Sequence, residues 1–230
     1  MLRLENCLIE NGGFRLQADL SIEPGARIAV IGPSGAGKST LIEAIAGFLP
    51  LNSGRILWKG EDLNRLLPGQ RPIAMLFQDG NLFPHLSAAQ NAGLGLQPDL
   101  RLTGAQADQV KTALTRVGLG GLENRKPAEL SGGQQSRVAL ARVLLQRREI
   151  LLLDEPFAAL GPAMKAEMLD LVAEIAAETG ATLLMVSHDP EDARRIAQEV
   201  ILVAEGQANP PEATLQLLNN PPPSLKAYLG

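Results

Sequence analysis

Arg27-Ile28-Ala29-Val30-Ile31-Gly32-Pro33-Ser34-Gly35-Ala36-Gly37-Lys38-Ser39-Thr40, RIAVIGPSGAGKST, decides the architecture. An apolar run of strand character enters a glycine-rich turn, and the helical pattern STLIEAIAGFL leaves it. The turn, Gly32 to Thr40, matches G-x-x-x-x-G-K-[ST] in full. Glycines permit the backbone angles that turn successive N–H groups inward onto phosphate oxygens. The helix N-terminus adds a fixed partial positive charge. Lys38 supplies a mobile cation for the β- and γ-phosphates, and Ser39 a hydroxyl for Mg²⁺. The expected ligand is a nucleoside triphosphate with its magnesium ion.

Composition limits what surrounds this loop. The chain has 230 residues, 45% hydrophobic and 20% charged, as in ordinary globular proteins. A formal net charge of −4 offers no global basic field, so nucleic acid is not an expected partner. Cys7 is the single cysteine, which excludes an intrachain disulfide and a cysteine-clustered metal site and suits a reducing cytosol. The opening MLRLENCLIENGG is polar where a signal peptide needs an apolar core. No run approaches the roughly 18 apolar residues of a membrane span. Work at a membrane would be done from outside the bilayer.

Apolar runs alternating with helical patterns predict an α/β fold. Expected strands are Arg27–Ile31, Pro72–Phe77, Ile150–Leu153, Thr182–Val186 and Val200–Val203. Several lack alternation, as in strands covered on both faces. Leu2–Ile9 and Phe14–Ile22 alternate better and predict an antiparallel edge sheet, which Gly54–Lys59 joins. Helices are expected after Gly37, over Thr103–Val117, after Ser131 and over Pro162–Glu178. In the last, Met164, Met168, Val172 and Ile175 recur at three- and four-residue steps and read as core. The stretch from about residue 79 to 149 shows no strand pattern. It is expected to form a helical subdomain inserted between two β-bearing parts of one core, 1–78 and 150–230. NNPPPS near the end reads as a loop.

Three runs end at chemically useful residues. ILLLDEP closes in Asp154 and Glu155, and C-terminal strand ends of a parallel sheet face the ligand crevice. Asp154 is placed to hold Mg²⁺, and Glu155 to polarise a water aimed at the γ-phosphorus. Gln78 after PIAMLF can reach the same crevice as a metal or water ligand, and His188 after ATLLMVS can donate to a γ-phosphate. His85 in NLFPHLS reads as a loop residue, and two distant histidines do not make a catalytic zinc site. Finally, Glu129–Arg137, ELSGGQQSR, puts a hydroxyl, two glycines and two amides at the head of a helix. That group can hold an anion but cleave nothing.

With these motifs in this order, nearly the whole chain resembles the ATP-binding subunits of ABC transporters. The resemblance implies the ABC ATPase fold: a P-loop NTPase core with an antiparallel β edge sheet and a helical subdomain. It also implies two copies paired head to tail, so that Ser131, Gly132, Gly133 and Gln134 of one bind the γ-phosphate held by the other. Glu155 is then the general base, Gln78 the sensor and His188 the switch residue. The implied setting is the cytoplasmic face of a bacterial inner membrane, with integral permease subunits as direct partners and a periplasmic solute-binding protein as an indirect one. Three departures stand out. Asn11 lies where an adenine-stacking aromatic is usual, with Phe14 as a substitute. Ala158-Ala159-Leu160-Gly161 replaces Ser-Ala-Leu-Asp, and Gln135-Ser136 follows the signature. DGNLFPHLSAAQN, with Leu82, Phe83 and Pro84, either meets a membrane-subunit helix or packs locally. AQNAGLGLQPDLRLTGAQ, LLLDEPFAAL and TLLMVSHDPEDARRIA resemble most the ATPases of bacterial thiamine importers. An ATPase of another small-solute importer or of an exporter is the alternative. A non-transport member or a simple P-loop kinase fits less well, since the chain has one unit, no heptad run, and a signature that a kinase would not use.

Overall fold

The computed structural model describes residues 1–78 and 80–229, with the backbone alone for 11 and 227–229. Strands β1 (Leu2–Asn11), β2 (Phe14–Ile22) and β3 (Arg27–Ile31) precede helix α1 (Lys38–Ala46). Strands β4 (Ser53–Trp58), β5 (Glu61–Asp62) and β6 (Ile73–Leu76) follow it. Helices α2 (Ala88–Gly93), α3 (Gly104–Arg116) and α4 (Gly132–Gln146) come next. Then β7 (Ile150–Asp154), α5 (Pro162–Thr179), β8 (Thr182–Val186) and α6 (Pro190–Ile196) alternate. Last come β9 (Glu199–Ala204), β10 (Gln207–Ala208), β11 (Glu212–Ala213), α7 (Thr214–Asn219) and α8 (Pro223–Leu229).

The strands run β5-β4-β1-β2-β10-β9-β3-β8-β7-β6, with β11 pairing β9 off this path. The β9-β3-β8-β7-β6 stretch is parallel, and the β2-β1-β4-β5 end is antiparallel. Side chains of the parallel strands alternate between two cores, as a period of two requires. Ala29, Ile31, Leu151, Leu153, Leu183 and Met185 join the core shared with the helices that follow β6. Ile28, Val30, Ile150, Leu152, Leu184 and Val186 join the one beneath α1 and the antiparallel strands. Burial on both faces explains the unbroken apolar runs. Each fully buried Leu or Ile contributes about 1.5–3 kcal/mol relative to exposure.

The observed elements refine the expectations. β6 stops at Leu76, so Gln78 and likewise His188 sit two residues beyond their strands. Met168, Val172 and Ile175 are buried, but Met164 is 40% exposed on the first turn of α5. Its side chain lies over Gly133, where an added Cβ would meet the Met164 sulfur at 2.0 Å. The spacing holds for Met168, Val172 and Ile175, and its first member, Met164, lies off the N-terminal end of the core. Among the described residues, no helix is long and apolar enough to cross a membrane.

Candidate nucleotide site

The turn between β3 and α1 forms an open cleft of ≈ 330 Å³, lined by Phe14, Ser34, Gly35, Lys38, Ser39 and Glu155 among others. A larger cavity of ≈ 550 Å³ lies between α3, α4 and α5, but its floor is apolar and it holds none of the motif residues. The smaller, polar cleft is the one lined by the residues of the glycine-rich turn.

Two glycines make that turn possible. Gly32 has φ 149, and a Cβ there would meet the Val203 carbonyl oxygen at 2.0 Å. Gly37 caps α1 at φ 99, and a Cβ would meet the Phe14 ring at 2.6 Å. Phe14 therefore packs on the loop itself while lining the cleft. The Lys38 ammonium, on a side chain that is nearly buried, donates to the carbonyl oxygens of Gly32 and Pro33, both at 2.9 Å. Burial lowers its pKa, and the charges of Glu155 and Asp154 oppose that shift. The ammonium is held on the loop's own carbonyls.

At the mouth of the cleft, the Ser39 hydroxyl donates to Asp154 Oδ1 at 3.0 Å. Burial pushes the Asp154 carboxyl above its ordinary pKa; the Ser39 bond and Lys38 pull down, while the Glu155 charge adds to the rise. Two hard oxygen donors in a spot that disfavours a lone negative charge suit Mg²⁺. No cluster of three His, Cys, Asp or Glu occurs among the described residues, so phosphates and waters would complete the coordination, as that ion prefers. Glu155 follows at φ 43, a left-handed conformation costly for a residue with a side chain. Its Oε2 lies 3.0 Å from His188 Nδ1.

Lys38, Ser39, Asp154, Glu155 and His188 are thus brought together. Gln78 lies exposed just past β6, beside β7 in the sheet, outside the cleft lining. Ser131, Gly132, Gly133 and Gln134 also lie outside that lining. They open α4 with a reciprocal cap: Gln134 N–H donates to Ser131 Oγ at 3.3 Å, and Ser131 N–H to Gln134 Oε1 at 2.9 Å. Ser131 and Gly132 are exposed. The expectation for Asn11 and the Asp79 end of the loop before α2 fall outside the described residues and side chains. In the rest of that loop, Leu82 packs on the core while Phe83 and Pro84 are exposed.

Sequence reading missed three structural anchors. Asn91, fully buried, accepts from Phe83 N–H at 2.8 Å and donates to the Phe83, Leu86 and Ser87 carbonyls at 3.1 Å. Arg142 on α4 donates to the carbonyls of Gly80 and Asn81 at 2.6 and 2.8 Å. Lys165 pairs with Asp189 and Asp192. Only an Asn or Arg inside an otherwise apolar helical face would have flagged the first two.

Residues 16–158 match the ABC transporter family. The chain belongs to that family. Over their full lengths, this ABC chain is 69% identical to the thiamine import ATP-binding protein ThiQ of Ruegeria sp. (strain TM1040) and 63% identical to that of Cereibacter sphaeroides. Its fold is similar to the ATP-binding cassette MJ0796 in a dimeric post-hydrolysis state with ADP and Pi: TM-score 0.81, 29% identity, covering 93% of this chain and 99% of that one. It is also similar to cbiO1 of Clostridium perfringens, part of a cbiONQ transporter complex: TM-score 0.84, 29% identity, covering 95% and 90%.

Proposed function

We propose that this ABC chain is the ATP-hydrolysing subunit of an importer for thiamine and its phosphates, acting as a homodimer on a separate membrane permease. The solute assignment rests on full-length identity of 69% to a thiamine import ATP-binding protein. The pairing rests on one observation above all: Ser131 and Gly132, which open the signature at the head of α4, are exposed and stand outside their own chain's phosphate cleft. A second copy would bring them to the nucleotide. Residues 79–149 form the helical subdomain of this scheme, with residues 1–78 and 150–230 as the core. The subunit sits peripherally at the cytoplasmic face of the bacterial inner membrane, where a periplasmic receptor feeds the permease.

The loop amides and Lys38 take the phosphates as the ammonium leaves the Gly32 and Pro33 carbonyls. Ser39 and Asp154 would hold Mg²⁺, with Gln78 as a further oxygen ligand, and the ion would supply charge neutralisation at the phosphates. Glu155 takes the proton of the attacking water, and His188 orients that carboxylate through Nδ1 and meets the γ-phosphate. Ser131 and the N–H groups of Gly132 and Gly133 close on the partner's nucleotide, each bond to the charged phosphate contributing about 1.5–3 kcal/mol. Hydrolysis removes that acceptor and loosens the dimer. Positioning and charge stabilisation carry such a reaction.

Glu155→Gln tests the site: ATP binding and an ATP-held dimer persist while turnover falls by at least about 100-fold, the usual scale of a general base. Turnover at the wild-type rate sinks the assignment of the base. Purification from membranes with the bound permease, followed by uptake of labelled thiamine, tests the solute.

A further inference from the structure

We propose that Lys165 and Asp192 are positioning residues of the hydrolysis site, which hold His188, and through it Glu155, against the start of α5. This rests on the ATPase reading above. Lys165 Nζ lies 2.7 Å from Asp192 Oδ2 and 2.9 Å from Asp189 Oδ2. Asp192 is buried, and its Oδ2 also accepts from the Ser187 hydroxyl at 2.5 Å. Asp189 N–H returns a bond to Ser187 Oγ at 3.0 Å. The residues on both sides of His188 are therefore fastened to one ammonium.

The far side of this knot is the reaction site. His188 Nδ1 stands 3.0 Å from Glu155 Oε2. A cavity of only ≈ 10 Å³ is walled by Glu155, Ser187, His188, Lys165 and Asp192 together. That void holds barely one water, and the ion pair and the dyad share its walls. Lys165 itself is set by its backbone N–H, which bonds to Gly161 O at 2.9 Å, one turn beyond the loop that follows Glu155. Docking of α5 on α6 has its own supports: Met168, Leu169, Ala193 and Ile196 share one core, and Arg195 bonds Asp170 twice at the exposed seam, at 2.7 and 2.6 Å. The Lys165–Asp192 pair is joined instead to the 187–189 turn.

The test uses the full chain, with steady-state ATP turnover and equilibrium ATP affinity measured separately. Lys165→Met is expected to lower kcat about 10-fold, a loss of about 1.4 kcal/mol of transition-state stabilisation, with ATP Kd changed less than about 2-fold. Lys165→Arg, which restores the cation, should recover most of kcat. Wild-type kcat in Lys165→Met overturns the proposal, as does a parallel loss of kcat and affinity that arginine does not rescue. If Lys165→Met fails to fold, Asp192→Asn keeps the shape, removes the charge and must show the same split. A wild-type chain that hydrolyses no ATP would instead sink the functional reading, whereas active wild type beside an unimpaired Lys165→Met removes the positioning role alone.

Discussion

Glu155 occupies φ 43 directly after β7, a backbone region that penalises any side chain by about 1–2 kcal/mol. A strained residue at a strand end persists when its side chain is needed there. Glu155→Gly relieves that strain but loses about 0.4–1 kcal/mol to glycine's freedom in the unfolded chain, so it should raise the melting temperature by about 1–4 °C while turnover disappears; calorimetry and an ATPase assay check both. Gly161 presents the opposite case. It opens α5 at φ −65 and ψ 156, angles open to any residue, and a Cβ would meet nothing within 4 Å. Gly161→Asp should be accommodated and stabilise by a few tenths of a kcal/mol, about the difference between glycine and aspartate as caps, read as a slightly higher denaturation midpoint. Gly32 allows no such change. Its Cβ would fall 2.0 Å from a backbone oxygen of β9 that cannot yield, so Gly32→Ala should unfold the loop and abolish ATP binding.

Helix α4 carries the signature at its head and a clamp along its side. Arg142 is desolvated enough to lower its pKa, and it spends its guanidinium on two carbonyls of the loop just after Gln78. Arg142→Ala removes two bonds from a charged donor, each about 1.5–3 kcal/mol. Faster hydrogen exchange over residues 80–87, with little change in β7 or β8, is the expected pattern; uniform loosening would argue against a local clamp. Arg137 acts similarly toward neighbouring helices, donating to Val117 O at 2.8 Å and pairing with Glu167 at 2.8 Å. Element positions were largely legible beforehand because apolar runs and helical spacing are local properties. The clamps were not, since an arginine in a helix looks the same whether it faces water or a neighbour's carbonyl.

Several carboxyls of the whole molecule lie below their ordinary pKa. Arg55 lowers Glu5, the Gly121 N–H lowers Glu123, Lys59 lowers Glu149 and Arg195 lowers Asp170. At Asp189, burial raises the value, but Lys165 and the Glu191 N–H outweigh it. Depressed folded values mean stability that is fully present above the unfolded pKa of about 4 and lost as pH falls through the folded values. Glu43, raised by burial and by the Asp154 charge, works the other way. The melting temperature should therefore hold across neutral pH and drop below about pH 4, as thermal scans will show. By itself the sequence determined the α/β class, the phosphate turn, the strand-end acids and the signature, because each is a contiguous pattern whose chemistry follows from spacing. Only the tertiary structure decided that Ser39 meets Asp154, that His188 meets Glu155, and that Lys165 reaches Asp192. Those pairs lie 115, 33 and 27 residues apart in the chain, and strand order and packing, not spacing, set their distance.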